Sequence, residues 1–584
     1  MNGKSATLID FSVMDEVNKD YLMQFTAEVS KEVRLSGSAE ERRAFAYVQR
    51  TLEGFGLSTT LMFSDQYISL PGEASLRVDG RCLTCITHAM AVPTGDEGLE
   101  GELVYLGNSV TESLNRDDLK GKIALIQNLA VPGAVKAAEE AGATGVVFIH
   151  ARYTHEMIVS PVWGSPTPET IGQLPKIPVV SVNYSDGEWI KSVLAEKKQI
   201  SAWMNAKVDT GWRSIPTLVA EIKGAIEPEK FVLFSGHIDS WHYGAMDNGS
   251  ANATLIEVAR ILSNRRAQLR RTLRLAFWSG HSHGRYAGSA WYCDTNWEDL
   301  YDNCILHINI DSVGAKGATV LSEANSMAET RELGAAAVEL MSGENFTGSR
   351  FGRAGDQSFW GTGTPSLFMG LSEQEPSTDP ASQAFAQLFG NGKAGGFGWW
   401  WHTTEDTIDK IDPDLLERDC KVYVNTVFQA CSQPIIPINQ LAVIDELAVY
   451  LHDYMEKSNG HLEFSTSLNR IATLKELITQ LYGHVQSDSL SRAEIDIVNQ
   501  TLMGVSRALV PLNYVSESIY DHDPALKQVP IPSLVKINRL AAVEIGSDEF
   551  YQLKTLLVRR LNRVNHLLLQ AIRTVEAGLS QLRN

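Results

Sequence analysis

The stretch FSGHIDSWHYGAMDNGSANA, residues 234–253, decides how this 584-residue chain is interpreted. His237 follows an apolar run, Asp239 comes two residues later, and Asp247 comes ten residues after His237, just before a helix-forming segment. In open α/β sheets, ligands bind beyond the carboxyl ends of the strands. A histidine and a carboxylate at such an edge suit a first-row metal, and a carboxylate can bridge two metals. Asp239 is placed to hydrogen-bond a ligand ring and fix its tautomer.

The surrounding sequence alternates strands with helices between residues 217 and 430. The apolar runs FVLFSGH, TLRLAFW, NCILHINID and TPSLFMG are separated by helical segments, which predicts an α/β fold with a mostly parallel sheet flanked by helices. Asp311 ends the third run, and His402 stands in WWWHTTEDTIDKID before a helix. A single Asp after a strand is usually a cap, and a single His is usually a hydrogen-bonded polar residue. Their joint placement at one sheet edge favours metal ligands.

Pro- and Gly-rich composition shifts divide the chain into four parts. Short strands and one helix predict a small α/β insert, and apolar residues at three- and four-residue steps from Leu557 to Leu579 predict a C-terminal helical bundle. The predicted parts are an N-terminal piece of the catalytic domain at 1–70, the insert at 71–213, the catalytic domain at 214–435 and the helical domain at 436–584.

The bulk composition excludes several function classes. The formal net charge of −19 disfavours nucleic-acid binding, which needs clustered Lys and Arg. No signal-peptide pattern and no run of about 18 apolar residues is present, so we expect no membrane span. Six cysteines do not make a disulfide framework in so long a chain, and the lone pair Cys82 and Cys85 is read as two thiols. These features predict a cytoplasmic protein.

Four motifs resemble one family, the co-catalytic zinc peptidases that include aminopeptidases, glutamate carboxypeptidase and the transferrin receptor. The motifs are GHIDSWHYGAMDNGSA, the Asp of INIDS, GDQSFW before TPSLF, and HTTEDTIDKID. The resemblance covers about residues 25–60 and 215–430. The pattern GKIALIQ…AVKAAEEAGATGVVFI…IPVVSV is similar to a protease-associated domain, and the helical C-terminal region resembles the glutamate carboxypeptidase and transferrin-receptor subgroup.

The resemblance implies roles for the residues that match the family pattern. His237, Asp247 and Asp311 would hold one metal ion. Asp247 would bridge to a second metal held by His402, and Asp239 would orient a ligand. The implied cofactors are two divalent metal ions, expected to be zinc.

The chain departs from the family after TLRLAFW. The family has two adjacent Glu residues there, a general base and a metal ligand, whereas this chain has FWSGHSHGRYAGSAWY with no carboxylate. His281 and Ser282 fall at the Glu positions and His283 follows, but one extra residue before Gly288 lets the alignment slide. Imidazole can serve as ligand or base. We therefore expect His281 and His283 to divide these two roles, in an order that the sequence leaves open; the alternative is a decayed site.

These features predict a metal-dependent hydrolase of a peptide or other amide bond. Two alternatives stay open: a non-catalytic binding protein on the same fold, and an amidohydrolase of a small non-peptide molecule. The expected partners are a peptide or small amide substrate and a second copy of the chain, bound through the helical region after about residue 440. His242 is a candidate to face the site. Arg285 and Arg353 are candidate anchors for a substrate carboxylate.

Overall fold

One mixed sheet runs through the computed structural model, which describes residues 8–110, 118–197, 199–377, 382, 396–485 and 490–583. Within those residues the sheet has twelve strands in the order β12-β11-β9-β10-β8-β4-β5-β6-β7-β3, with β1 beside β8 and β2 beside β1. The strands are β1 Ser58–Val78, β2 Arg81–Leu83, β3 Cys85–Thr87, β4 Leu99–Tyr105, β5 Lys122–Ile126, β6 Gly145–Ile149, β7 Val179–Val182, β8 Ser201–Ile222, β9 Glu227–His237, β10 Arg271–Trp278, β11 Cys304–Asn309 and β12 Ser366–Leu367.

The catalytic half of the sheet is built on β9. Strand β9 pairs in parallel with β10 on one side and with β11 on the other, which confirms the predicted α/β fold with a mostly parallel sheet. Phe231–Phe234 are fully buried because helices cover both faces of the sheet, and this explains why the run is almost continuously apolar. Helices of this half are α1 Phe11–Met14, α2 Lys19–Val29, α3 Ala39–Gly54, α6 Ala251–Ser263, α7 His281–Gly284, α8 Ala287–Thr295, α9 Trp297–Asn303, α10 Arg331–Ser342 and α11 Pro413–Ser432.

The insert continues the same sheet. Strands β4 to β7 are parallel, β3 is antiparallel to β7, and helices α4 Pro132–Glu140 and α5 Tyr184–Lys197 pack beside them. The long strands β1 and β8 pair antiparallel and run from the catalytic half into the insert. The predicted boundaries after residues 70 and 213 fall inside these strands, so paired backbone, with one irregularity between Pro71 and Ala74, connects the two parts.

The C-terminal region is a helical bundle with its own apolar cluster. The predicted apolar stripe from Leu557 to Leu579 is buried in that cluster, as expected for a bundle core. Among the described helices, none is long and apolar enough to cross a bilayer. The helices are α12 Gln440–Lys457, α13 Ser465–Val485, α14 Arg492–Tyr514, α15 Ile537–Leu540 and α16 Asp548–Arg583.

Candidate metal centre

The four residues implied as metal ligands meet at the carboxyl edge of the parallel strands. His237 is the last residue of β9, and its Nε2 lies 3.3 Å from Oδ1 of Asp247 and 3.5 Å from Oδ2 of Asp311. His402 Nε2 lies 2.9 Å from Oδ2 of Asp247. The two oxygens of Asp247 therefore face two different imidazoles, which is the arrangement that a bridging carboxylate needs.

The loop before Asp247 explains part of the sequence pattern. Gly244 has a left-handed backbone (φ 54°), and a Cβ there would lie 2.2 Å from the carbonyl oxygen of Asp247. Only glycine fits such a position without displacing the backbone of Asp247. Asp406 then fixes the turn, because its carboxylate accepts hydrogen bonds from the backbone N–H groups of Met246 (2.9 Å) and Asp247 (3.0 Å). Burial raises the pKa of Asp406 to about 7.

His281 lies next to the candidate ligands His237 and Asp311. Its ring stacks on that of His237, with centroids 3.7 Å apart, and its Nε2 lies 3.8 Å from Oδ2 of Asp311. In the part of the chain that the structure describes, His237, His281 and Asp311 form one group whose ligand atoms all lie within 4.8 Å of one another. Ligand atoms around a tetrahedral zinc ion lie about 3.3 Å apart, given metal–ligand bonds of about 2.0–2.2 Å. The donor set and its spacing therefore fit a metal ion.

Three imidazoles of the site share one hydrogen-bonding pattern. Each Nδ1 contacts an acceptor oxygen, which leaves Nε2 with its lone pair when Nδ1 carries the proton. The Nδ1 contacts are His237 with the carbonyl of Asp239 (2.9 Å), His281 with Oδ2 of Asp356 (2.8 Å) and His402 with the carbonyl of Glu156 (2.6 Å). Nδ1 of His283 differs, because it contacts Oγ of Ser36 (2.9 Å) and also accepts from the backbone N–H of Ser36 (3.4 Å). The Nε2 atoms of His237 and His283 are buried without a hydrogen-bond partner.

His283 lies beside, and not within, the compact ligand group. It is fully buried, and its ring is 4.4 Å from that of Trp241. Burial lowers the pKa of His283 to about 4 although the charge of Asp239 opposes this. His283 is not part of the ligand group formed by His237, His281 and Asp311. Its predicted role as a metal ligand therefore stays a prediction, and it concerns the second metal position.

Asp239 is the hydrogen-bonding hub beneath the ligands. Its Oδ2 accepts from Ser36 Oγ (2.7 Å) and from the backbone N–H of Ser282 (2.9 Å). The carboxylate also lies 3.6 Å from Nδ1 of His237. Burial would raise the pKa of Asp239, but the contact with His237 and the charges of His281 and His283 together outweigh burial and hold this pKa well below its usual range. Asp239 is therefore held as an anion among these donors.

The candidate ligands His237 and Asp247 also shift each other's pKa. Burial alone would lower the pKa of His237, but the negative charge of Asp311 and the contacts with Asp239 and Asp247 raise it well above its ordinary value. Burial would raise the pKa of Asp247, whereas its contacts with His237 and His402 hold it well below its ordinary value. Negative charge concentrated at one sheet edge is what a divalent cation requires.

Two candidate anchors for a substrate carboxylate are corrected by the structure. The guanidinium of Arg285 donates to the backbone carbonyls of Ser160 and Ile158. Arg353 is buried, donates to the carbonyl of Asp523 (2.7 Å) and lies over the ring of Trp163. Both arginines are committed to holding loops together, which their isolated positions in the sequence did not reveal.

His242 is half-buried and lies near the second position. Burial, with the charge of His402 as a smaller cause, lowers its pKa to about 4.

Sequence reasoning missed three residues that shape the centre: Ser36, Asp356 and Asp406. Asp356 and Asp406 do stand inside motifs that carried the family resemblance, GDQSFW and HTTEDTID, so their motif membership was an available signal. Ser36 comes from a loop some 200 residues away in sequence from Asp239, and no local pattern indicates it.

Comparison with known proteins finds similarity to peptidases over the residues that form this site. Residues 217–427 match peptidase family M28 and residues 99–190 match the PA domain. The chain is 29% identical to carboxypeptidase Q of Xenopus laevis over 49% of this chain and 64% of that protein. It is 25% identical to aminopeptidase YwaD of Bacillus subtilis over 68% of this chain and 81% of that protein. It is 27% identical to a probable glutamate carboxypeptidase of Zea mays over 47% of this chain and 48% of that protein.

Solved structures support the fold. The chain is similar to an M28 peptidase precursor from Shewanella amazonensis, with a TM-score of 0.56, 19% identity and coverage of 74% of this chain and 97% of that one. It is also similar to an aminopeptidase from Aneurinibacillus, with a TM-score of 0.54, 22% identity and coverage of 73% and 96%. The predicted resemblance and fold class are therefore confirmed.

Proposed function

We propose, from the match of residues 217–427 to peptidase family M28, that the protein is a metal-dependent hydrolase of a peptide or other amide bond. The alignments span 64% of the frog carboxypeptidase Q and 48% of the maize protein, so the activity is argued from the site itself. The observation that carries the proposal is the shared hydrogen-bonding pattern of His237, His281 and His402. Each ring holds its Nδ1 against an oxygen and presents Nε2 to the same sheet edge.

The first metal position takes His237, Asp247, Asp311 and, in addition, His281. The stacking of His281 on His237 and its 3.8 Å distance from Asp311 support this fourth ligand. Such a set has two imidazoles and two carboxylates. Both donor types are common for zinc.

The second metal position takes the other oxygen of Asp247 together with His402. His283, with its buried free Nε2, and His242 complete the surroundings of this position. The family's glutamate ligand is absent, so this position has one negative charge fewer and should bind its ion more weakly. A bound metal would polarise the scissile carbonyl and lower the pKa of a water molecule.

The chain's own residues then position the reactants and move the proton. Asp239 orients the His281–His283 loop through the backbone N–H of Ser282. If His281 is a ligand, His283 is the remaining histidine of the loop for the proton-acceptor role. The buried site excludes bulk water, which strengthens each electrostatic interaction.

The test is metal stoichiometry followed by a substrate screen. Protein purified without added metal is analysed for elements, reconstituted with zinc, and assayed on peptides blocked at either end and on small amides. Zinc binding with hydrolysis that Asp311→Ala abolishes supports the proposal. Zinc binding without turnover on any substrate favours the binding-protein alternative. Turnover confined to small amides favours the non-peptide amidohydrolase, and no metal after reconstitution rejects all metal-dependent readings.

A further inference from the structure

His281 contacts a buried carboxylate to which the family resemblance assigned no role. Nδ1 of His281 lies 2.8 Å from Oδ2 of Asp356, and the Asp356 side chain is 1% exposed. A carboxylate accepts hydrogen bonds and donates none. His281 must therefore keep its proton on Nδ1, and its Nε2 points its lone pair at the group formed with His237 and Asp311.

The second oxygen of Asp356 is reached by a chain of buried donors that begins in the insert. Ser289 Oγ donates to Oδ1 of Asp356 (2.8 Å), Ser358 Oγ lies 2.9 Å from Ser289 Oγ, and Trp163 Nε1 donates to Ser358 Oγ (2.9 Å). These four side chains are all nearly or fully buried.

The direction of this chain follows from its two ends. An indole N–H can only donate, and a carboxylate can only accept. Ser358 therefore accepts from Trp163 and donates to Ser289, and Ser289 donates to Asp356. Every hydroxyl proton points toward Asp356, and His281 donates to it from the other side.

We infer that Asp356 is a positioning residue that fixes the tautomer of His281, and that the Ser289 hydroxyl, which donates to Asp356 while Ser358 donates to Ser289, holds this arrangement in place. The inference rests on the metal centre proposed above. Partners of this kind behind a ligand histidine typically change metal affinity about 10- to 100-fold when they are altered.

The substitution Asp356→Asn should make the side chain at position 356 a hydrogen-bond donor toward His281. Ser289 still presents its O–H, so the amide turns its carbonyl oxygen toward Ser289 and its NH₂ toward His281. The Nδ1 of His281 must then accept, and the proton moves to Nε2, where it blocks a metal. Ser289 has an alternative acceptor in the carbonyl of Tyr286, but that contact is longer, at 3.2 Å. We expect Asp356→Asn to weaken zinc binding by about 10- to 100-fold.

A second substitution that removes the directional donor should restore the site. In Ser289→Ala/Asp356→Asn the amide is free to turn its carbonyl to His281, and most of the lost zinc affinity should return. Trp163→Phe/Asp356→Asn is the matched control and should not recover. A serine oxygen has two acceptor lone pairs, so removing the buried indole that donates to Ser358 leaves the protons of Ser358 and Ser289 where they were.

The experiment measures zinc affinity by competition with a chelator, and ¹⁵N-histidine NMR of the metal-free protein reports the His281 tautomer, assigned with His281→Ala. Rescue in Ser289→Ala/Asp356→Asn but not in Trp163→Phe/Asp356→Asn, with Nε2 of His281 protonated in Asp356→Asn, supports the inference. Wild-type zinc affinity in Asp356→Asn, a Ser289→Ala/Asp356→Asn variant no better than the single one, or equal rescue in both double variants overturns it. If the wild type binds no zinc, the metal centre fails, while the tautomer readout still decides the role of Asp356. If Asp356→Asn does not fold, the His281 tautomer is measured in the wild type and in Ser289→Ala, and Nε2-protonated His281 in either one overturns the inference.

Discussion

At the scale of single residues, Asp247 is placed to contact two metal ions through its two oxygens, whereas His402 is placed to contact one ion through Nε2. Oδ1 faces His237 and Oδ2 faces His402. We expect Asp247→Ala to remove both metals and His402→Ala to empty mainly the second position, because a bridging carboxylate touches both ions. Elemental analysis after dialysis measures this. Equal and small losses in the two variants would contradict the assignment.

His281 and His283 are separated only by Ser282, but they face different surroundings. His281 stacks on His237 within the ligand group, whereas His283 lies against Ser36 and Trp241. We expect His281→Ala to lower bound metal at the first position about 10-fold or more, as loss of a ligand should. His283→Ala should keep the first metal and lower turnover. Metal counts and kcat on the same preparations separate the two effects.

The matched control for these variants is His452→Ala, since His452 is exposed on α12 and far from the site in sequence. If both loop variants keep the metal and the activity of this control, the loop takes no part in catalysis, and another base has to be found.

The sequence predicted His237, Asp247, Asp311 and His402 because each follows a strand or stands in a motif at one sheet edge. It left the order of His281 and His283 open because one extra residue let the alignment slide. The backbone settles which histidine lies near Asp311, since α7 begins at His281 and carries it over the end of β9. The GDQSFW motif contains Asp356, but the motif does not indicate its partner, because His281 lies 75 residues away in sequence.

At the scale of elements, one loop of the insert holds both sides of the metal centre. The backbone of Glu156 exchanges two hydrogen bonds with His402, and Gly164 N–H donates to the carbonyl of Arg285 in the catalytic loop. Between them, Trp163 packs against Tyr286 with ring centroids 4.3 Å apart. The sequence predicted the insert as a separate part, but contacts between residues more than 100 positions apart are invisible to local patterns.

The insert also buries three neutral histidines, and this makes stability depend on pH. Burial lowers the pKa of His88 to about 3 and of His155 to about 4, and it lowers the pKa of His150 well below its ordinary value. The unfolded chain binds these protons near pH 6.5, while the folded chain does not. The stabilisation is therefore complete above pH 6.5 and is lost as pH falls toward 4, by about 1.4 kcal/mol per pH unit for each histidine.

Chemical unfolding at pH 7.5, 6.5 and 5.5 tests this dependence. We expect His88→Asn to reduce the loss of unfolding free energy between pH 6.5 and 5.5 by about 1 kcal/mol, whatever its effect on stability at pH 7.5, and to have less effect on the slope between pH 7.5 and 6.5. The exposed His452→Gln should leave the slope unchanged. A wild-type slope in His88→Asn would show that His88 titrates alike in the folded and unfolded chains.

At the scale of the whole molecule, the sheet connects parts that the sequence separates. Strands β1 and β8 pair along their length. Leu61 lies opposite Leu218 in the catalytic half, and Leu76 lies opposite Met204 in the insert. Composition shifts mark where the side-chain pattern changes. They do not mark where the backbone pairing stops, because pairing depends on main-chain groups common to all residues.

The helical region is the expected contact for a second copy of the chain. It has its own apolar cluster, and its last helix, α16, is 36 residues long. Apolar side chains remain exposed on it: Tyr551 and Val558, seven residues apart on one face of α16, are 58% and 45% exposed, and Val449 on α12 is 66% exposed. Isolated exposed apolar residues are common, so the prediction needs a direct measurement.

Light scattering at micromolar concentration should give twice the chain mass of 64.3 kDa. Tyr551→Asp/Val558→Asp should shift the mass toward the monomer, because a buried charge without a partner costs an interface several kcal/mol. The matched control is Phe63→Asp/Trp212→Asp, which places the same charges on exposed aromatic residues of β1 and β8, outside the helical region. A wild-type monomer rejects the prediction. If only the control variant dissociates the dimer, the interface lies on the long strands β1 and β8 and not on the helical region. The paired backbone that connects the insert to the catalytic half would then face the second chain.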